Sequence, residues 1–169
     1  MSETDQARHA IMATMVQASR KWRKLAQLAL AAHGISQAQA SALVWVHRLG
    51  GGTRQIVLAS YIGIEGTSLV RLLDELSASG LLVRKEDRED RRAKTIWLTP
   101  KGEHLAEQIE TVLAALRERV LVDVPADDVD ATLRLCRAID RAVEVTCGKP
   151  ASEAAEKLLI NDIKIDPVG

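Results

Sequence analysis

Hydrophobic periodicity changes abruptly at Gly80, and few folds accommodate such a change. From Gly66 to Ser79 the apolar residues Leu69, Leu72, Leu73 and Leu76 recur at helical spacing and make one face. At about 100° per residue, the opposite face carries Thr67, Arg71, Asp74 and Ala78, with Ser68 and Glu75 on its flank. Gly66 stands where an N-cap belongs, and Gly80 where a C′ glycine stops a helix. Beyond Gly80 the pattern is that of strands. Leu81-Leu82-Val83 leads in, and Thr95-Ile96-Trp97-Leu98 supplies the partner. The intervening RKEDREDRRAK, from Arg84 to Lys94, is too polar to bury and too short for a domain.

A helix backed by leucines and followed by a hairpin with an arginine-rich tip is the working end of a winged helix-turn-helix. Such a helix pushes its N-terminal end into the major groove of DNA, and the hairpin's cations reach a minor groove or the phosphates. The expected recognition helix spans about 66–79 and the wing about 82–98. Arg71 is the first candidate for base readout, because a guanidinium can pair bidentately with guanine O6 and N7. Thr67 and Ser68, at the helix start, suit a phosphate or a base edge. Arg88, Arg91 and Arg92 are wing candidates, since a bare hairpin has no folding need for so many cations. Arg54 and Lys94 are weaker phosphate candidates. Asp90, close to Arg92, is expected to pair with it and stiffen the tip, a surface contact worth about 0–1 kcal/mol. The bland alternatives are a solvated Arg71 and simple helix-start chemistry at Thr67 and Ser68.

The run GLLVRKEDREDRRAKTIWLTPKG resembles the wing signature of the MarR family of transcriptional regulators, with its D-x-R-R turn and L-T-x-x-G close. IGIEGTSLVRLLDEL is similar to that family's recognition helix, most of all in the SlyA branch. The motifs cover roughly a quarter of the chain. The resemblance implies a triangular homodimer whose terminal helices form the dimer domain. It also implies a small phenolic or aromatic carboxylate, bound between that domain and the winged helix, that lowers DNA affinity. Arg92 matches the second arginine of the D-x-R-R turn, and Arg20 and Arg71 match basic positions associated with anion binding in the SlyA branch. A tryptophan usual in that branch near the start of the second helix is Ala40 here, so the pocket's shape does not transfer. Peroxide sensors of the family carry a reactive cysteine in the first helix, and this first helix has none.

The rest of the chain reads as helices. Asp5 to about His33 is a long first helix ended by Gly34, and Ser36 caps a second running to Leu49. Leu49-Gly50-Gly51-Gly52 is a turn and not a phosphate loop, because no Gly-Lys-Ser/Thr follows and no strand precedes. Thr53 is expected to cap a short helix from Arg54 to Tyr61, with Ile62-Gly63-Ile64 as the turn before the recognition helix. Thr99 caps another helix with Pro100 at its first position, and a last one starts at Asp127 or Asp128 after the Val124-Pro125 break. These terminal helices carry more apolar surface than one small winged helix can cover, so they are expected to interleave with a second chain. The fold expected is therefore mainly α with a small β-hairpin wing. Residues 1–35 form the N-terminal dimerisation helix, 36–100 the DNA-binding domain, 101–147 the C-terminal dimerisation helices and 148–169 a tail.

The 169 residues suit one domain with appended helices. A formal net charge of zero argues against a nonspecific coater of nucleic acid, while the basic residues between Arg71 and Lys101 supply a local patch. Acids cluster later, from Glu103 to Asp130. The acidic start, Met1-Ser2-Glu3-Thr4-Asp5, with no long apolar run after it, points to a soluble cytoplasmic protein with no membrane partner. His9, His33, His47 and His104 lack metal-ligand spacing, and no catalytic motif or dinucleotide fingerprint stands out, so neither a metal, a cofactor nor an enzyme activity is expected. Cys136 and Cys147, on one continuous helix, would share a face about 16 Å apart, too far for an intrachain bond.

The leading reading is a homodimeric regulator, a repressor, of a pseudo-palindromic double-stranded DNA operator, released by a small aromatic acid or related thioester. Arg20, Trp22 and Arg23 on the first helix, with Trp45 and His47 on the second, are the candidates for lining the ligand crevice. An arginine there would grip a carboxylate and a tryptophan would stack on a ring. The plain alternative for Trp22 and Trp45 is the core. Two other readings remain open: an architectural or counter-silencing winged-helix protein without an effector, and a regulator switched by oxidation of Cys136 or Cys147.

Overall fold

The computed structural model describes residues 2–64, 66–87 and 93–147. Within them the chain is mostly helical with a small antiparallel sheet, in the order α1 (Glu3–Leu30), α2 (Gln37–Arg48), β1 (Thr53–Arg54), α3 (Gln55–Ile62), α4 (Gly66–Ala78), β2 (Leu82–Glu86), β3 (Lys94–Leu98), α5 (Pro100–Leu121) and α6 (Ala126–Cys147). This is the winged-helix arrangement expected from the change of period at Gly80. Local chemistry accounts for most boundaries. Ser36 opens α2 with a capping box, its hydroxyl accepting from the Gln39 amide while the Gln39 side chain accepts from the Ser36 amide. Thr99 opens α5 with Pro100 just inside, its side chain accepting from the Gly102 amide.

The core lies where α2, α3, α4, the sheet and the first half of α5 meet. Leu43, Leu58, Leu69, Leu73, Ile96 and Ile109 are fully buried there. All four leucines of the α4 face, Leu69, Leu72, Leu73 and Leu76, are inside. At about 1.5–3 kcal/mol for each large side chain removed from water, that face holds the helix in place without help from intrinsic propensity.

Three boundaries differ from the sequence expectation. Thr53 does not cap α3. Thr53 and Arg54 instead pair with Ile96 and Thr95 on the free edge of β3, giving a three-stranded sheet in the order β1-β3-β2. A strand edge offers the backbone partners that a cap would otherwise supply, and Arg54 then precedes α3 with no side-chain cap. α1 gives way after Leu30 to a single 3-10 turn, Ala31–His33, closed by Gly34. The leucine helix begins at Gly66 itself and ends at Ala78.

The two ends of the chain pack differently from its middle. Only Ala26 and Leu30 of α1 are buried, and Ile11, Met12, Val16 and Leu28 are exposed. None of the described side chains of α6 is buried, and this helix makes almost no packing contact with the rest of its own chain. Cys136 on α6 is a half-buried free thiol, and the Cys147 side chain lies outside the described residues.

The junction between α4, β2 and α5 leaves no slack. Gly80 adopts φ +69, and its amide and that of Leu81 return to the carbonyls of Ser77 and Leu76, a Schellman closure. The Thr99 hydroxyl donates to the Gly80 carbonyl at 2.7 Å and Lys101 Nζ to the Ser79 carbonyl at 3.0 Å. Gly102 passes so close to this turn that a Cβ would stand 1.9 Å from the Leu81 carbonyl oxygen. Gly102→Ala is therefore expected to destabilise the protein by about 1–3 kcal/mol, through the backbone shift that overpacking forces. The check is the urea midpoint, lowered at unchanged slope. A midpoint equal to that of the wild type would refute the close approach.

Candidate nucleic-acid interface

With its leucines turned inward, α4 holds Thr67, Ser68 and Arg71 out to solvent at or near its N-terminal end. The Arg71 side chain is 85% exposed, so the guanidinium is free to approach a base edge. It is not unguided. Its Nε donates to Glu75 one turn later at 3.1 Å, and the other Glu75 oxygen accepts from the Gln39 amide group of α2 at 3.4 Å. A surface pair of this kind is weak enough to exchange for a stronger partner.

The wing is a regular hairpin in which Leu82, Arg84 and Glu86 face Leu98, Ile96 and Lys94. The Asp87 amide donates to the Ala93 carbonyl at 3.1 Å and closes the described part of the ribbon. Lys94 Nζ meets Glu86 across the strands at 3.2 Å. Arg88, Asp90, Arg91 and Arg92 lie outside the described residues, as does any pairing between Asp90 and Arg92. The acid that anchors the described base of the wing is Asp87. It is almost buried and accepts from Arg54 Nε of β1 at 2.7 Å. Arg54 thus ties β1 to the wing, a role the sequence did not suggest for it. In a run of alternating acids and bases no spacing singles Asp87 out. Trp97, on the outer face of β3, lies across the Gly51-Gly52 backbone with Lys85 Nζ 4.7 Å from its ring centre.

The five candidates for a ligand crevice fall into separate surroundings. Arg20 and Arg23 are exposed on α1. Trp22, between them, faces α5 and lines an open cavity of about 360 Å³ with Arg117, Val120 and Leu121. Trp45 turns to α3, its ring 4.5 Å from that of Tyr61, with the Arg48 guanidinium 5.6 Å over it. The Tyr61 hydroxyl is sealed from solvent and has no hydrogen-bond partner among the described residues. His47 Nδ1 contacts Glu103 of α5 at 2.5 Å.

A further ion cluster went unread in the sequence because its members are far apart in the chain. Glu110 of α5 accepts from Arg48 of α2 and, at 3.4 Å, from Arg117 one face away. Burial alone would raise the Glu110 carboxyl. The hydrogen bonds and charge of Arg48, and then of Arg117, outweigh that and hold it below its usual range. Among the described residues no group of three or more His, Cys, Asp or Glu is placed to hold a metal, and no single helix is long and apolar enough to cross a membrane.

Comparison with known proteins agrees with this geometry. The MarR family model matches residues 33–93. Among solved structures, the transcriptional regulator PA3341 is similar over 79% of this chain and 98% of its own, at 35% identity and a TM-score of 0.74. A MarR-family regulator from Rhodococcus sp. RHA1 matches over 82% of this chain and 95% of its own, at 24% identity and a TM-score of 0.69. Wild-type MarR from E. coli, in its apo form, matches over 75% and 93% at 22% identity and a TM-score of 0.62. The last two likenesses are of fold.

Because the folded-state pKa of Glu110 is depressed, its contribution to stability is complete above the unfolded value and is lost as pH falls through the folded one. Glu110→Gln is expected to be less stable than the wild type at neutral pH. The deficit should shrink in denaturant titrations near pH 3, at the order-of-magnitude level such linkage allows. An equal deficit at both pH values would show that the carboxylate's charge is not what Arg48 and Arg117 hold.

Proposed function

The chain belongs to the MarR family of transcriptional regulators, and from that premise we propose that it is a homodimeric repressor of a pseudo-palindromic operator, released by a small aromatic acid or related thioester. MarR-family regulators bind DNA and typically act as dimers. The observation that carries the reading is the exposure of Thr67, Ser68 and Arg71 on a leucine-buried α4, beside a hairpin whose base is cross-tied. In this reading α4 enters the major groove, and the wing, through Arg88, Arg91, Arg92 and Lys94, follows the adjacent backbone or minor groove. The protein acts in the cytoplasm as a binder, without catalytic chemistry.

Pairing of two chains is supported by the ends. α6 has an apolar side and almost nothing of its own chain to lay it on, and the apolar residues Ile11, Met12, Val16 and Leu28 of α1 are exposed. Residues 1–35 and 101–147 then form the dimer domain and 36–100 the reading domain. A dyad through the paired ends presents the two α4 helices to half-sites about 34 Å apart.

For the ligand, the Trp22–Arg117 cavity has the two groups an aromatic acid needs, a ring to stack on and a guanidinium for the carboxylate. Arg20 and Arg23 flank it in sequence. Placement in the SlyA branch rests on the run IGIEGTSLVRLLDEL and on Arg20 and Arg71, and the buried Ala40 stands where that branch carries a tryptophan.

Arg71→Ala is expected to relax sequence preference by about 1–3 kcal/mol at one operator position. Arg91→Ala should weaken binding to every sequence alike and flatten the salt slope by about 1 from a wild-type value near about −7, taking about four phosphates per subunit. Titration of a duplex selected from a random pool by the wild-type protein reads both. Wild-type affinity and slope in both variants would displace the interface from α4 and the wing. Thermal-shift screening against aromatic acids and their thioesters is expected to give a stabilising compound that also loosens the selected duplex. Failure of the whole panel would remove the effector from the account.

A further inference from the structure

Arg84 belongs to β2, yet most of its chemistry is spent on α4. Its Nη1 meets the Asp74 carboxylate of α4 at 2.8 Å, and its Nη2 donates to the Val70 main-chain carbonyl at 3.2 Å. The two acceptors are one turn apart on the same helix, so the guanidinium grips a length of α4 and not a single point. Arg84 is the less exposed partner, 27% against 61% for Asp74. Its Nε is sealed from solvent with no hydrogen-bond partner among the described residues, a cost accepted to bring the other two nitrogens onto the helix. In the sheet Arg84 stands opposite the fully buried Ile96, so its backbone is fixed by the wing's central pairing.

We propose that Arg84, through Asp74 and the Val70 carbonyl, is a positioning residue that locks the wing to the recognition helix, so that both reach DNA as one rigid unit. The proposal rests on the reading of α4 and the wing as the DNA surface. Arg71, the candidate base reader, lies between Val70 and Asp74 in the chain, on the segment that Arg84 holds. Two contacts on one rigid body reinforce each other, because seating the first places the second at high effective concentration. A floating wing forfeits that gain although none of its own cations is lost. Arg84 therefore differs from a phosphate ligand. Its effect should depend on Asp74 and not on the salt concentration.

The test uses the full-length protein, Arg84→Ala, Arg84→Lys, Asp74→Ala and the Arg84→Ala/Asp74→Ala double variant, with two readouts. The first is affinity for a duplex selected from a random-sequence pool by the wild-type protein. Arg84→Ala should lose about tenfold, the scale of one charge-assisted contact. Arg84→Lys should recover part of this, as a point charge that reaches Asp74 without also serving the carbonyl. The double variant should lose no more than Arg84→Ala alone, and the salt slope should stay that of the wild type. The second readout is amide hydrogen exchange over residues 82–98 without DNA, expected to quicken in Arg84→Ala while the core amides of α2 and α5 stay protected. Wild-type exchange in the wing of Arg84→Ala overturns the proposal whether or not any duplex is bound. Additive losses in the double variant, or a slope flattened by about 1, would also overturn it by making Arg84 a phosphate contact. If exchange quickens but no duplex is selected by the wild-type protein, the clamp stands and the DNA reading fails.

Discussion

Burial of one leucine stripe decides nearly everything else in this chain. Leu69, Leu72, Leu73 and Leu76 can leave water only if α4 lies on α2, α3 and the sheet, and that orientation alone puts Thr67, Ser68 and Arg71 outside. The stripe ends at a turn with no freedom. Gly80 reverses the chain, Thr99 and Lys101 cover the carbonyls the helix leaves behind, and Gly102 lets α5 start against the same turn. Helix, ribbon and α5 thus radiate from one tightly packed point, and their relative directions follow from it.

The polar surface is organised by pairing more than by net charge. The cations of the described reading domain stand near carboxylates: Arg71 by Glu75, Arg54 by Asp87, Arg84 by Asp74 and Lys94 by Glu86. These pairs are not equivalent. Asp87 is nearly buried and Arg84 is mostly covered, so those two contacts fix geometry. Arg71 and Lys94 are open to water, where an ion pair contributes little and a phosphate or base can replace the partner. A chain of zero net charge can in this way hold a steep local field without coating nucleic acid at random.

The fold was legible wherever one local rule acted alone. The 3.6-residue stripe of α4, the capping box at Ser36, the Thr99-Pro100 helix start and the αL glycine at position 80 each specify their structure within a few residues. Local reading failed at Thr53, where a distant strand edge outbid a cap, and no pattern in the segment itself announces that partner. The same limit applied to the site. The exposure of Arg71 follows from periodicity, but Asp87 as the wing's anchor, the Arg84 grip on Asp74 and the Glu110 cluster join residues between 7 and 62 positions apart. Trp22 and Trp45, adjacent in the imagined crevice, face α5 and α3 respectively, because a helix pair distributes its aromatic residues by rotation about the axes and not by proximity in a motif.

The central claim is that α4 and the wing of two paired chains take hold of one duplex together. Hydroxyl-radical footprinting of the full-length protein on a duplex selected by it tests this most directly. The account requires two protected stretches related by a dyad, their centres about one helical turn apart, each flanked by protection on the minor-groove side. A single protected stretch without its dyad mate, or uniform protection along the duplex, would contradict it.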